Sequence, residues 1–501
     1  MRPPGGGRAS EDRGMACRRL FADVQSRHER WYNRTSPLVV SRSSRPAIFL
    51  ESCPPVIEPR TLKGFRDHLP AQAIAREEIL DVARRVYRSY GFVPIDTPAL
   101  EYLEILAGKG SDETDKQLYH FEDHGGRKVG MRFDLTVPFA RFCAQHIGQL
   151  GVPFKRYHMA TVWRGENTQR GRYREFMQCD FDTIGTTSEL ADLETVLVVH
   201  DLLSAIGLER FTIRINDRRV LSGILDRLGL ADRSVVILRA LDKLGKATPA
   251  AVAAEIEGHG IPAAATADLL TLATLSGAPE EILARVEGLI GGSDIGARGV
   301  KALRGIITGA AQAGVPAGRI VVDPSIARGL DYYTGLVLES FLDEMPALGS
   351  ICSGGRYDNL AGLYTKQHLP GVGASLGIDR LLAGLEELGR LSSRETAADL
   401  FLVYFDETHR DDYLRIAAAL RSAGMAVEMA AEPKRVGQQL KVAAKKGFAA
   451  ALVIGSNEFA AGTAQCKHLV SQESVIIDWH GDLRVLVDAV HSQLEAIRAG
   501  H

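Results

Sequence analysis

The sequence predicts an α+β body, interrupted by a helical insertion and followed by a small α/β domain. Three observations carry this. Runs rich in β-branched and aromatic residues lie between Lys128 and Asp182 and return at Ile320 to Asp323 and Tyr332 to Phe341. Between them, an Ala/Leu/Glu-rich stretch from about Asp217 to Gly318 reads as helix, with Gly/Pro breaks at Gly258 to Pro262 and Gly277 to Pro279. Beyond the polar stretch Leu391 to Ala398, strand and helix alternate. The 501 residues leave room for about three domains at ~150 residues each.

In chain order, residues 1–58 form an N-terminal extension expected to be disordered. The first 46 hold ten arginines, no lysine and four acidic residues; this fits a transit peptide, or a non-native extension ahead of Met15. Residues 59–216 are the first part of the body. Within it, Ile74, Ile79, Val82, Val86 and Tyr87 recur at helical spacing over Ala71 to Tyr90, Gly91 stops the helix, and Phe92 to Ile95 reads as a strand ending at Pro98. Residues 217–318 are the helical insertion, 319–390 the second part of the body and 391–398 a linker. Residues 399–501 begin with a strand (Leu400 to Tyr404), helix (Asp411 to Ser422), strand (Ala426 to Met429), helix (Arg435 to Lys446) and strand (Ala450 to Ile454).

Sixty Lys plus Arg against 62 Asp plus Glu give a net charge of −2, which excludes binding to nucleic acid by bulk charge but leaves room for a local basic face. No apolar run approaches a membrane span. The six cysteines (Cys17, Cys53, Cys143, Cys179, Cys352, Cys466) form no C-x-x-C pair, so neither a disulfide scaffold nor a structural metal site is expected, and a reducing, cytoplasmic setting is.

Three segments carry chemistry. In YHMATVWRGENTQRGRYREFMQCDFDTIG, Tyr157 to Gly185, two strand-like runs flank the polar loop Asn167 to Tyr173, which predicts a long hairpin. Alternation puts Arg164 and Glu166 on one side of the first strand. It puts Gln178, Asp180 and Asp182 on one side of the second, with Met177, Cys179 and Phe181 opposite. A cation, acids and an amide on one face are expensive to bury without a ligand; the alternative is a solvated face of ion pairs. Arg170, Arg172 and Arg174 in the loop are expected to reach outward toward an anion. In Arg328-Gly329-Leu330-Asp331-Tyr332-Tyr333, the adjacent tyrosines are expected one on each strand face. Gly371 to Arg380 lacks the G-x-G-x-x-G and G-K-[ST] spacings, yet puts Arg380 in a first helical turn, where a phosphate would share it with free backbone N–H groups.

Together these segments resemble the class II aminoacyl-tRNA synthetases. Arg164-x-Glu166 with its loop and Phe176 resembles their motif 2, the glycine-rich stretch ending at Arg380 their motif 3, and the helix and strand ending at Pro98 their motif 1. Arg328 to Tyr333 and Ser353-Gly354-Gly355-Arg356-Tyr357-Asp358 resemble the two signatures of the histidyl-tRNA synthetase family, in the right order, over nearly nine-tenths of the chain.

The resemblance implies a class II antiparallel sheet flanked by helices and a C-terminal anticodon-binding domain. It implies ATP-dependent activation of L-histidine followed by transfer to the 3′ end of tRNA(His), with Mg2+ accompanying ATP and a homodimer formed through motif 1. It assigns Arg164 and Arg328 to the α-phosphate as catalytic groups, Glu166 and Phe176 to adenine, and Arg380 to the γ-phosphate. Asp134, Thr136 and Gln178 fall to the substrate's α-ammonium, and Asp182 and Tyr333, with Tyr332 beside it, to the imidazole. Arg170 and Arg172, with Lys441 and Lys445 four apart on one helix, are the implied tRNA contacts. Many bacterial members carry Pro-Glu-Gly-Thr where this chain has Phe133-Asp134-Leu135-Thr136, and a glutamate at Asp182; the variant here resembles the eukaryotic-type branch. Two other readings remain: a catalytically silent paralogue regulating histidine biosynthesis, which usually lacks the C-terminal domain, and a nucleotide-binding scaffold without tRNA, which leaves that domain unexplained.

Overall fold

A computed structural model describes residues 57–107, 115–241, 243–244, 247–326, 332–391 and 394–499. The N-terminal extension up to residue 56, Cys17, Cys53 and Arg328 lie outside them. Residues 57–60 belong to a separate unit from Thr61 onward.

The strands before residue 390 are β1 (Val93–Pro94), β2 (Leu100–Tyr102), β3 (His120–Glu122), β4 (Lys128–Met131), β5 (Phe154–Trp163), β6 (Glu175–Ile184), β7 (Phe211–Asp217), β8 (Ile320–Val322), β9 (Leu336–Leu342), β10 (Cys352–Tyr357) and β11 (Gly371–Gly377). Eight of them form one sheet in the order β1-β5-β6-β11-β10-β9-β7-β8, antiparallel except for the parallel edge pairs β1–β5 and β7–β8. The expected hairpin forms its second and third strands, β5 and β6 pairing over their whole length. Strands β2, β4 and β3 form a small antiparallel sheet, only part of which the sequence suggested.

The apolar face of β6 is covered by the helix Pro70–Ser89, whose buried Ala75, Ile79, Leu80, Ala83, Val86 and Tyr87 recur at helical spacing. The Tyr87 ring lies 5.1 Å from Phe181 and its hydroxyl donates to the Cys179 carbonyl at 3.1 Å. The helix Glu189–Ala205, capped by Ser188, packs on β11. With that side filled, the other face of β6 is left for the polar residues.

One strand expectation is corrected, and one strand was not foreseen. The pattern starting at Tyr332 becomes strand only at Leu336, because Thr334 is bonded to the Arg356 carbonyl and the Asp358 carboxylate and Gly335 accepts from the Arg218 N–H, which holds 332–335 as a loop. The glycine-rich Gly371–Gly377 is a central strand, registered against β6 and β10.

The insertion consists of helices Arg218–Arg227, Ser234–Leu241, Pro249–Gly258, Ala263–Ala273, Pro279–Ile290 and Asp294–Gln312. Its two sequence breaks fall between helices, and Pro249 and Pro279 each open one, where a missing N–H costs nothing.

After the linker, β12 (Leu400–Leu402), β13 (Val427–Met429), β14 (Ala450–Val453), β15 (Thr463–His468) and β16 (Ser474–Asp478) form a mixed sheet in the order β13-β12-β14-β15-β16, with helices Arg410–Ser422, Val436–Lys446, Ser456–Ala461 and Leu483–Ala499. Its buried clusters, built on Leu402, Tyr413 and Leu486 and on Phe401 and Phe448, draw only on residues from Ala398 onward. Among the described residues no helix is long and apolar enough to cross a membrane.

Candidate active site

The polar face of β6 is built by register. Asp182, Asp180 and Gln178 stand opposite Arg156, His158 and Ala160 of β5 and opposite Gly373, Ser375 and Gly377 of β11. Directly opposed residues share a face, so a carboxylate pair, an amide, a guanidinium and an imidazole converge on one surface bounded by glycines. Glycine is required at position 373: a Cβ there would lie 2.3 Å from Asp182 Oδ1 and 2.3 Å from the Phe181 carbonyl. Gly355 of β10 similarly makes room for Tyr333, whose Cδ1 would be 2.9 Å from an added Cβ.

The partners of these groups define what is missing. Asp182 is ion-paired through Oδ2 to Arg156 Nη2 at 2.7 Å, and its Oδ1 accepts from the Tyr357 hydroxyl at 2.6 Å. Gln178 Nε2 donates to Ser375 Oγ at 3.0 Å, and Ser375 also hydrogen-bonds the Asp180 carboxylate. Asp134, just before the helix Thr136–Leu150, accepts from the Val137 N–H at 3.0 Å. Four buried acceptors have no hydrogen-bond donor among the described residues: Asp134 Oδ2, Gln178 Oε1, Asp180 Oδ1 and Asp182 Oδ2, the last holding only its ion pair; Arg156 Nε and Nη1 in turn have no acceptor among those residues. An orphaned buried acceptor costs ~1–3 kcal/mol, so three of them beside an ion-paired fourth call for a ligand with several donors.

Burial pushes the Asp134 carboxyl up to about 6, against the pull of the Val137 N–H and of Arg164 and Arg156. It pushes Asp180 up to about 7, with Arg156 opposing and Asp182 adding to the rise. Asp182 is also raised by burial, countered by Arg156 and then Tyr357. His158 is held neutral by burial and by the cations Arg156 and Arg132, and its Nε2 lies 3.0 Å from Asp96 Oδ1.

Toward the loop end of the hairpin the charge changes sign. Strand β5 ends at Trp163, so Arg164 and Glu166 begin the loop instead of sharing a strand face. Arg164 Nε donates to the Phe133 carbonyl at 2.8 Å, and its guanidinium carbon stands 5.2 Å from the Phe176 ring centre. Arg380, in the first turn of helix Ile378–Glu387, bonds the Ser350 carbonyl; burial, then Arg172, lowers its pKa. The preceding Asp379 accepts from Arg66 and, at 2.7 Å, from the Met177 N–H, while Arg66 also covers the Tyr173 ring at 3.8 Å, so residue 66 joins the loop to this helix.

The loop arginines Arg170 and Arg172 are exposed as expected, but all three find partners within the protein. Arg172 Nη1 lies 3.2 Å from Glu166 Oε2, Arg174 Nε donates to the Glu166 carbonyl at 3.2 Å, and Arg170 pairs with Glu387 at 2.9 Å. The turn at Gly171 (φ +68°), packed on Arg380, sets the loop beside Glu166 and the helix Ile378–Glu387, which supply these acceptors.

The tyrosine pair also departs from expectation. Because Tyr332 and Tyr333 precede the strand, they do not alternate: the rings meet edge to face at 5.1 Å, both against the cluster of Phe133, Val137 and Tyr357. Tyr332 hydrogen-bonds Thr136, and both phenols are raised by burial. Asp134, Thr136, Gln178, Asp182, Tyr332 and Tyr333 are thus linked through direct contacts and shared faces, and Arg164, Glu166, Phe176 and Arg380 sit around the loop; Arg328 is outside the described residues. Lys441 and Lys445 lie exposed on the separate helix Val436–Lys446.

Sequence reasoning gave no role to Arg156 or Tyr357, the two residues that hold Asp182. Arg156 was legible only through cross-strand register, which needs the hairpin's alignment; Tyr357 stood inside a quoted motif.

The chain is similar to known proteins along most of its length. The family model described as histidyl-tRNA synthetase matches residues 64–381, and that of the anticodon binding domain matches residues 399–488. The chain is 58% identical over 439 residues to the histidine–tRNA ligase of Rhodopirellula baltica, covering 87% of this chain and 99% of that protein. It is 44% identical over 417 residues to that of Wolinella succinogenes, covering 83% and 94%. The solved histidyl-tRNA synthetase of Nostoc sp. PCC 7120 superposes with a TM-score of 0.79 at 34% identity over 89% of this chain and all of that one. Similarity that runs through both the catalytic body and the C-terminal α/β domain settles the descent: the chain belongs to the histidyl-tRNA synthetase family.

Proposed function

We infer that the protein is a histidine–tRNA ligase. It joins the carboxylate of L-histidine to the α-phosphate of ATP, expelling pyrophosphate, and then passes the histidyl group to a ribose hydroxyl at the 3′ end of tRNA(His). The four orphaned acceptors carry this reading. An α-ammonium has three N–H donors and a neutral imidazole one, which equals the number of acceptor atoms the cluster leaves without a hydrogen bond.

In this reading Asp134, Thr136 and Gln178 take the ammonium, and Asp182 and Tyr333, with Tyr332 bracing it, take the ring. Arg164 lies at the α-phosphate, Arg380 at the γ-phosphate, and Glu166 and Phe176 hold adenine once Arg172 has released Glu166. Mg2+ rides on the ATP phosphates, as is usual for nucleotides. The substrate carboxylate is its own nucleophile, so the side chains position reactants and stabilise the charge that builds on the phosphate. Arg328 is assigned to that charge, and Arg328→Ala should slow single-turnover adenylation by ~10²–10³ with little loss of histidine binding.

Lys441 and Lys445 on the C-terminal domain and Arg170 and Arg172 on the loop supply tRNA contacts. The domains divide at the linker 391–398, and the working form is a homodimer acting in the cytoplasm, where tRNA is charged. A silent regulatory paralogue is not favoured: the similarity to histidine–tRNA ligases includes the anticodon-binding domain.

The test is ATP–pyrophosphate exchange across the twenty amino acids. Exchange should require histidine and Mg-ATP; exchange with another amino acid at equal rate, or none with histidine, overturns the assignment.

A further inference from the structure

Arg156 is the least accessible large side chain at the site, 0% exposed, and its only ion-pair partner among the described residues is Asp182. A guanidinium does not deprotonate in a protein, so full burial demands an anion. The 2.7 Å contact is an ion pair without the alignment of a hydrogen bond: Nη2 donates toward the Leu135 carbonyl at 3.4 Å, Nε and Nη1 have no acceptor among the described residues, and Asp182 Oδ2 accepts no hydrogen bond. Asp182 thus has its charge matched but an acceptor site open.

We propose that Arg156 sets the specificity of the pocket for the neutral imidazole of histidine, by cancelling the charge of Asp182 while leaving it able to accept one hydrogen bond. The proposal rests on the reading of Asp182 as the imidazole contact. A protonated ring at Asp182 would bring a second cation up to Arg156 and a second ring N–H that needs an acceptor. A neutral ring brings neither: one nitrogen donates to Asp182 and the other accepts, from the Tyr333 hydroxyl. The remaining groups around Arg156 include a second acid, Asp180, whose charge this proposal gives to the α-ammonium. They are Asp180 beside Asp182 on β6, Tyr357 on β10, Cys143 on helix Thr136–Leu150 and, on its own strand, the neutral His158. Asp180 and the nearby Asp134 are the acids left to balance the α-ammonium, so the pocket offers charge to the ammonium end and polarity without net charge to the ring end.

The experiment compares the exchange KM for L-histidine with that for 1,2,4-triazolyl-3-alanine, whose ring stays neutral, from pH 5.5 to 8.5. Taking the ratio of the two removes titration of Asp134 and Asp180, which meet the same ammonium in both ligands. In the wild type the ratio should rise about tenfold per pH unit below the ring pKa of about 6.5. In Arg156→Met the rise should flatten or reverse, because an unmatched Asp182 welcomes the cation; Arg156→Lys should restore it.

A wild-type ratio that is flat or falls toward acid overturns the proposal without any variant, which covers the case in which Arg156→Met fails to fold. A folded Arg156→Met with the wild-type slope also overturns it. Asp182→Asn separates the two levels. If it leaves the KM for histidine unchanged, the pocket reading itself falls and takes the proposal with it; if it raises that KM while Arg156→Met keeps its slope, only the role of Arg156 falls.

Discussion

Arg356 and Asp192 are locked together inside the protein, Nε 2.8 Å from Oδ1, with both side chains buried. The same guanidinium donates to the Thr186 and Ser188 carbonyls at 3.0 and 3.1 Å, so it fastens β10 to the start of helix Glu189–Ala205. The arginine of a signature segment is thus a strut for the sheet, one residue before the tyrosine that holds Asp182. Removing one partner of a buried pair strands the other charge and costs about 3–5 kcal/mol. Asp192→Ala should lower the thermal and urea midpoints of the catalytic body accordingly; midpoints within experimental error of wild type would show that the pair contributes no rigidity.

Gly373→Ala tests how closely the β11 backbone is fitted to Asp182. The added methyl would sit 2.3 Å from Oδ1, so the carboxylate must move off its Arg156 and Tyr357 contacts. The KM for histidine should rise steeply, up to about 10²-fold for an ångström of misplacement, with the KM for ATP little changed. Equal losses for both substrates would point to general damage to the sheet.

The raised acids make a prediction about protons. Asp134 and Asp180, at about 6 and about 7 in the folded protein, start from about 3.9 in the unfolded chain. Across that window the folded state holds more protons, so these two groups make stability fall as pH rises from about 4 to about 7 and then level off. Binding an ammonium favours their ionised forms. Titration calorimetry of triazolylalanine near pH 6.5, in buffers of different ionisation enthalpy, should therefore show proton release, reduced in Asp180→Asn. Proton uptake would refute the assignment of these acids to the ammonium.

Truncation within the linker should leave histidine-dependent pyrophosphate exchange largely intact. Every residue proposed for adenylation precedes it, and the buried clusters of the C-terminal domain contain nothing from before Ala398. Transfer to tRNA should fall steeply and its salt dependence become shallower, as fewer cations release counterions. A truncated protein of native oligomeric state that charges tRNA as well as the full chain at equal salt would remove the anticodon-binding role of residues 399–501.

The hairpin was legible because its signal is local: Phe181 and Cys179 alternate with Asp180 and Asp182, and period-two alternation fixes faces without knowledge of the partner strand. The helix Pro70–Ser89 was legible from Ile79, Val86 and Tyr87 for the same reason. Gly371–Gly377 was not, since glycine has little strand preference of its own and becomes strand here because neighbouring side chains occupy its space. Arg172 shows a different limit. Sequence placed it in the loop, but its direction is decided by a competition between solvent and Glu166 that spacing does not encode. The partnership of Arg156 with Asp182 depends on which residue of β5 faces which of β6, and a slip of one position would erase it.

The six insertion helices leave the sheet at Asp217 and bring the chain back at Ile320, beside and parallel to the strand they left. A parallel return cannot be made by a tight turn; it needs a crossover of a dozen or more residues, for which one helix suffices. The segment is therefore an oversized bridge. One span of it is obligatory, because without it β8 has no way to reach the sheet edge. The rest serves as a cover: Asp294–Gln312 packs on β7 and on the helix Glu189–Ala205, and Pro279–Ile290 packs on β8, so the bridge also closes the core at this end of the sheet.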